Sequence, residues 1–244
     1  MVDLAACDAN LVASLRLTIG RSRSLQVPGL SLGATGYPSD FFNAGVILAP
    51  EPNLARAVDF FGDLPFIIWC RRGLDPGIDG AVLGAGLSIG AGPPLMVHDD
   101  LGTIPPHPDG VAITEVGPKD LADTVTASAI GNAMPPHFAA VFANGGLVED
   151  PAVAIVVARV AGTAVATAMA VISDDLIGVY AVSTVPEHRG KGLGAAVTWA
   201  AVAAGRERGG TWSVLQSSDM GKGVYERMGY RVVGDYRFIR RPPG

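Results

Sequence analysis

The chain is short of cysteine, of charge and of any unbroken apolar run, and each shortage excludes something. Its two cysteines, Cys7 and Cys70, stand far apart, outside any Cys-x-x-Cys spacing and without a nearby histidine partner. Neither a disulfide framework nor a zinc knuckle is expected, so no metal is assigned and a reducing compartment is the natural reading. Charged residues are only 17% of the 244, and 18 Lys and Arg face 23 Asp and Glu. The resulting net charge of −5 disfavours nucleic acid as the main partner. The first residues lack the basic flank and apolar run of a signal peptide, so the expectation is an unprocessed, cytoplasmic protein. The most apolar stretch, Ala152 to Ser173, is broken by Arg159 and Gly162, and reads as two strands and a turn, with no membrane partner.

What the chain does have is a 49% hydrophobic composition with 32 Gly and 18 Pro, enough for a real core and for many turns. The segment LGTIPPHPDG, Leu101 to Gly110, interrupts any periodic pattern and reads as a linker. It suggests two domains, 1–105 and 106–244.

The second segment is the more legible. Val111–Val116 reads as a strand, followed by a helix whose Leu121, Val125 and Ala129 recur on one face. A short helix after Pro135-Pro136 comes next, with Phe138, Val141 and Phe142 on its buried side. Three β-branched runs, Val153–Val160, Thr163–Ser173 and Leu176–Val185, suggest an antiparallel meander. A helix over Gly192–Arg208, a strand over Trp212–Gln216, a helix over Gly221–Met228 and a strand over Tyr230–Arg240 complete it. In the first segment a hairpin in SLGATGYPSDFFNAGVILAP, a helix in NLARAVDFFGDL, a strand in PFIIWCRR, a helix in GIDGAVLGAGLSIG and a strand in PPLMVHDD are expected. Its tail loosely mirrors the second segment. A diverged duplication and an unrelated α/β domain both stay open.

The most informative run is VSTVPEHRGKGLGAAV, Val182 to Val197, where an apolar strand passes through Arg189-Gly190-Lys191-Gly192-Leu193-Gly194 into a helix. Glycines every second residue let successive amides aim at one spot, and a helix start adds about half a positive charge there. Arg189 and Lys191 add charge at the rim, which suits a pyrophosphate. Tight packing alone is the bland alternative. Gly190-x-Gly192-x-x-Ala195 also scans as a dinucleotide fingerprint, but the next strand ends in Gln216 and Ser217 rather than in an acid, and the preceding meander is antiparallel.

These residues resemble the GNAT superfamily of acyl-CoA-dependent N-acetyltransferases, whose signature is Gln or Arg-x-x-Gly-x-Gly or Ala. The run LQSSDMGKGVYERMGYRVVGDY, Leu215 to Tyr236, is independently similar to the family's later strand, helix and strand. The resemblance spans Val111 to Arg240. It implies an α+β protein with a mixed, splayed central sheet, the acyl-CoA N-acyltransferase fold, in tandem with a degenerate N-terminal half if the duplication holds. It implies acetyl-CoA as cosubstrate, with backbone groups of Val182, Ser183 and Thr184 pairing with the pantetheine amides. Amides of Gly190, Lys191, Gly192, Leu193, Gly194 and Ala195 would hold the pyrophosphate, with Arg189 beside them. Ser218 stands where the family often has a cofactor-touching asparagine. Tyr225 is the implied general acid for the departing thiolate.

The implied function is acetyl transfer from acetyl-CoA to a primary amine of a small molecule or peptide by direct attack. A non-catalytic acetyl-CoA-binding sensor or assembly module is the alternative. No carboxylate lies on Leu176–Val185, where only Tyr180 is titratable, so proton removal through water is expected. Glu115, His137, Glu149, Asp174 and Asp175 read as solvated loop or helix-start groups. His98, Asp99 and Asp100 form a polar cluster without a third metal ligand in view. Trp69 and Phe66 read as core, and Arg21 and Arg23 as a solvated turn. A homodimer is the default expectation for assembly.

Overall fold

A computed structural model describes residues 2–242. The chain divides into two compact units, and neither is one continuous stretch. The first takes the residues up to Met96, then Gln216–Asp219 and the residues from Val232 on. The second takes Val97–Leu215 and Met220–Arg231. Among the described residues no helix is long and apolar enough to cross a membrane.

In the first unit α1 (Leu4–Leu17), capped by the Asp3 carboxylate on the Ala5 and Ala6 amides, precedes strands β1 (Arg23–Val27), β2 (Leu30–Ala34) and β3 (Asn43–Ile47). These three form an antiparallel meander. Helix α2 (Leu54–Phe61) then crosses over to β4 (Ile67–Arg71), parallel to β3, and α3 (Ile78–Gly84) leads into β5 (Ser88–His98). The strand order is β1-β2-β3-β4-β11-β5, where β11 (Arg231–Arg240) comes from the last part of the sequence and pairs antiparallel with β4. Leu30, Leu32, Ile47, Phe61, Phe66, Ile68, Ile78 and Ile239 form the core. α1 and β1 have no counterpart in the sequence reading. Arg23, read as a solvated turn residue, lies in β1 with its guanidinium over the Phe60 ring.

The second unit runs β6 (Val111–Glu115), α4 (Leu121–Gly131), the one-turn helices α5 (Pro136–Ala139) and α6 (Gly145–Val148), then β7 (Val153–Val160), β8 (Thr163–Ser173) and β9 (Leu176–Thr184). It closes with α7 (Leu193–Glu207), β10 (Trp212–Gln216) and α8 (Asp219–Arg227). Its strand order is β10-β9-β8-β7-β6, antiparallel except for the β9–β10 pair, which α7 connects in parallel. The meander, α7, β10 and α8 match the sequence expectation closely. The face of α4 does not. Thr124, Ala127 and Ser128 are buried with Ala129, while Leu121 and Val125 are only half-buried. The hydroxyls tolerate burial because Thr124 donates to the Asp120 carbonyl one turn back, so apolar spacing alone picked the wrong stripe.

The two units repeat one order of connections: three antiparallel strands, a crossover helix, a strand parallel to the third, then another helix. The repeat extends to the end of that last helix. In the second unit the Gly229 amide donates to Glu226 (3.1 Å) and the Tyr230 amide to Tyr225 (3.0 Å). In the first, the Gly86 amide donates to Leu83 (3.0 Å) and the Leu87 amide to Val82 (3.0 Å). Both glycines have positive φ, at 97° and 70°. By this correspondence Val82 occupies the place of Tyr225.

One buried polar group ties the first unit together across the sequence. Asp8 on α1 accepts from Arg71 on β4 (2.9 Å) and from the Tyr236 hydroxyl on β11 (2.7 Å), with its side chain 3% exposed. Removing the carboxylate leaves a guanidinium and a hydroxyl without an acceptor. Asp8→Ala is expected to lower the unfolding free energy by about 3 kcal/mol, read from the denaturant midpoint, whereas Asp3→Ala, which only loses an exposed helix cap, should cost about 1 kcal/mol.

Candidate functional site

The site is built where β9 outruns its neighbour. Pairing between β9 and β10 runs Leu176↔Trp212 to Val179↔Leu215 and ends there, while β9 continues to Thr184. On the other side β9 stays paired to β8 through Ser183↔Thr167 and Thr184↔Ala166. Between these pairs and Tyr180↔Met169 the register slips by one residue, so Ala181 and Val182 oppose Ala168 alone. Ala181 takes φ +50° at this bulge. An extra residue of this kind bends a strand and re-aims the residues beyond it. From Tyr180 onward β9 therefore offers one edge that β10 does not cover.

Past Thr184 the chain makes a short 3₁₀ turn, Pro186–His188, and enters the glycine-rich turn. Gly190 and Gly192 have φ of 74° and 79°, a region that side chains with a β-carbon adopt only at a cost. Gly192 is the N-cap of α7, and it supplies no side-chain acceptor to the first turn. The amides of Leu193, Gly194 and Ala195 therefore open the helix without a capping side chain, at its electropositive end. The expected residues Val182, Ser183, Thr184, Arg189, Gly190, Lys191, Gly192, Leu193, Gly194 and Ala195 are thus brought into one continuous strand-turn-helix.

The side chains along it are employed differently from the sequence expectation. The Ser183 hydroxyl is buried against Thr167 (2.9 Å), so it is engaged within the sheet. Arg189, expected as free rim charge, donates from Nε to the Thr184 carbonyl (3.1 Å) and from a terminal nitrogen to the Gly131 carbonyl at the end of α4 (2.9 Å). Lys191 donates to the Glu187 carbonyl (3.0 Å). Both cations brace the turn. Gly131 has its own reason to be glycine: a β-carbon there would lie 2.9 Å from Ser183 Cβ and 3.1 Å from the Thr184 nitrogen, so α4 comes as close to β9 as backbone allows.

Tyr225 is half-buried on α8. Burial pushes its phenol pKa up, with the neighbouring Thr198 hydroxyl pulling the other way. A raised phenol pKa keeps the proton in place at neutral pH, as a proton donor requires. Thr198 itself, on α7, is fully buried and donates to the Gly194 carbonyl (2.8 Å), so it joins the glycine-rich turn to the tyrosine. The signal for Thr198 was present in the sequence, since it is the one hydroxyl-bearing residue within the apolar run of α7. Ala181 and Gly131 carried no such signal. Ser218, just ahead of α8, is exposed, and its carbonyl accepts the Ser217 hydroxyl (2.8 Å).

Three of the other titratable candidates, Glu115, Asp175 and His137, lie against local neighbours. Glu115 pairs with Arg208 (2.5 Å), and the Asp175 carboxylate accepts from Trp212 Nε1 (3.1 Å) and the Thr211 hydroxyl (3.2 Å). His137 lies against the Phe138 ring. Among the described residues no group of three or more His, Cys, Asp or Glu could hold a metal ion.

With this geometry in place, comparison with known proteins is informative. Residues 121–230 match the model of the acetyltransferase (GNAT) family. The fold is shared with solved structures at low identity. A GCN5-related N-acetyltransferase from Kribbella flavida is 23% identical, with 100% of this chain and 97% of that one covered and a TM-score of 0.76. One from Sphaerobacter thermophilus is 14% identical, with 88% and 78% covered and a TM-score of 0.58. A functionally unknown conserved protein from Staphylococcus epidermidis is 15% identical, with 90% and 93% covered and a TM-score of 0.60. No curated protein matches the chain. The chain has the α+β fold of these solved structures, and the segment similar to the GNAT family model holds β7 to β10, the glycine-rich turn and Tyr225. The family is one of acetyltransferases, and acetyl transfer in general is the activity it supports.

The close approach of α4 to β9 can be tested directly. Gly131→Ala is expected to destabilise by about 1–3 kcal/mol through overpacking, measured as a lowered denaturant midpoint, whereas Gly145→Ala, with open space around it, should change little.

Proposed function

We propose that the protein transfers an acetyl group from acetyl-CoA to a primary amine of a small molecule or peptide by direct attack. The observation that carries this reading is the uncovered edge of β9 running straight into a helix start that lacks a side-chain cap. An extended chain bearing amides can add to such an edge as a further strand does, through Val182, Ser183 and Thr184. The carbonyl of Thr184 is already engaged by Arg189, so Val182 and Ser183 carry most of that pairing. A diphosphate suits the amides of Gly190 to Ala195, where the left-handed glycines turn the backbone and the helix field favours negative charge. Ser218 is a further contact in this reading.

Acetyl-CoA supplies an activated thioester carbon. The attacking amine forms the new C–N bond, the C–S bond breaks, and the departing sulfur takes the Tyr225 proton. The amine's surplus proton leaves through water, since β9 carries no carboxylate, and tyrosine is reprotonated from solvent. The first unit contributes no second site in this reading. There the helix start equivalent to that of α7, the start of α2, is capped by the Asn53 side chain on the Arg56 amide (3.2 Å). Pro50 and Pro52 have no N–H, the Glu51 amide donates to the Asp75 carboxylate (3.0 Å), and Val82 stands where Tyr225 would be. These features support a decayed copy of the fold with one coenzyme site per chain. The net charge of −5 gives no support to a nucleic-acid partner.

Titration calorimetry with CoA should give one site per chain, and thiol release should be seen with acetyl-CoA and a panel of amines. Tyr225→Phe should lower turnover by about 10²-fold while leaving CoA affinity within about twofold. Heat without thiol release against any amine would favour a binding module. Two sites per chain would overturn the decayed-copy reading.

A further inference from the structure

Helix α8 has nine residues and none is fully buried, so packing along its length holds Tyr225 only in part, beside its contact with Thr198. The C-terminal end of the helix adds a second anchor. There the backbone turns at Gly229, and Tyr230, 3% exposed, inserts behind it with its hydroxyl on Ser213 (2.7 Å). The Tyr225 and Tyr230 rings meet edge to face, 5.9 Å between centroids. A side chain from outside this segment reaches the carbonyl that follows the helix. His98, at the end of β5, places Nε2 3.0 Å from the Met228 carbonyl. A carbonyl only accepts, so Nε2 carries a proton here. The imidazole is itself set by edge contacts with Trp199 on α7 (5.6 Å) and Tyr230 (5.3 Å). Gly229 makes room for it, since a β-carbon there would lie 2.7 Å from Nε2.

We infer that His98 is a positioning residue for Tyr225: by donating to the Met228 carbonyl just past α8, and by wedging between Trp199 and Tyr230, it fixes where the phenol stands relative to α7. The sequence placed His98 with Asp99 and Asp100 as a polar cluster. The structure separates them, because Asp99 pairs with Arg231 (2.5 Å) and Asp100 accepts from the Gly102 amide (3.2 Å). The assignment rests on Tyr225 acting as the proton donor.

The test compares His98→Leu and His98→Gln in the wild-type and Tyr225→Phe backgrounds, on the full chain, by thiol release from acetyl-CoA. A proton donor displaced by 1 Å costs up to about 10²-fold. His98→Leu is expected to lower kcat about tenfold with KM for acetyl-CoA within about twofold. His98→Gln, which keeps an N–H donor, should recover most of that loss, and His98→Leu should cost nothing further once Tyr225 is Phe. If His98→Leu does not fold, His98→Phe, which keeps a ring between Trp199 and Tyr230 but has no N–H to donate, carries the same expectation. Full turnover in His98→Leu, equal damage in the Gln and Leu variants, or an undiminished tenfold loss in the Tyr225→Phe background overturns the role of His98 alone. Full turnover in Tyr225→Phe overturns the proton-donor reading itself.

Discussion

The second unit depends on one interruption: the parallel ladder between β9 and β10 stops at Val179 and Leu215 while β9 is still needed by β8 for another five residues. A strand that is paired on one side and open on the other has unused donors and acceptors, and these normally invite aggregation or need covering. Here the bulge at Ala181 bends the open segment, and the chain then turns through Gly190 and Gly192 into α7. The open edge and the uncapped helix start arise from the same few residues. They are adjacent because the backbone leaves no choice between them.

The first unit shows what becomes of the same plan when that interruption is not used. Its crossover helix follows two prolines and a capping asparagine, a neighbouring aspartate holds the Glu51 amide, and a valine stands in the place of the tyrosine. The prolines and the two hydrogen bonds remove or occupy amides at a helix start, where α7 has no side-chain cap. The hydrogen-bond pattern closing the last helix is nonetheless retained in both, with a left-handed glycine at the same point. Capping geometry outlasts chemistry because every helix end must satisfy its carbonyls whether or not a ligand is nearby.

Legibility from sequence tracked periodicity. The meander, α7 and β10 were readable because Val, Ile and Ala recur at strand or helix spacing between glycine breaks, and the glycine-rich turn was readable because few other uses exist for Gly at every second position. α1 was not, since its buried set mixes Cys7, Asp8, Asn10 and Ser14 with Leu11 and Val12, and polar residues hide an apolar stripe. The buried face of α4 failed for the same reason. The bracing by Arg189 of Thr184 and Gly131 pairs positions 58 residues apart, and the join between Thr198 and the glycine-rich turn is a contact of one hydroxyl with one carbonyl. No spacing rule encodes the first, whereas the second follows the i to i−4 bond of a hydroxyl within a helix.

The bond from the Tyr236 hydroxyl to Asp8 joins residues separated by 228 positions, and β11 completes the edge of β4 with the last strand of the sequence. A chain emerging from the ribosome makes β1 to β4 first, yet their sheet stays one strand short until the second unit has been made. Early residues must then wait, part-assembled, for late ones, while the intervening meander can close on itself. Maturation is therefore expected to run inside out along the sequence, the middle before the beginning, with the N-terminal strands the portion most in need of chaperone shelter.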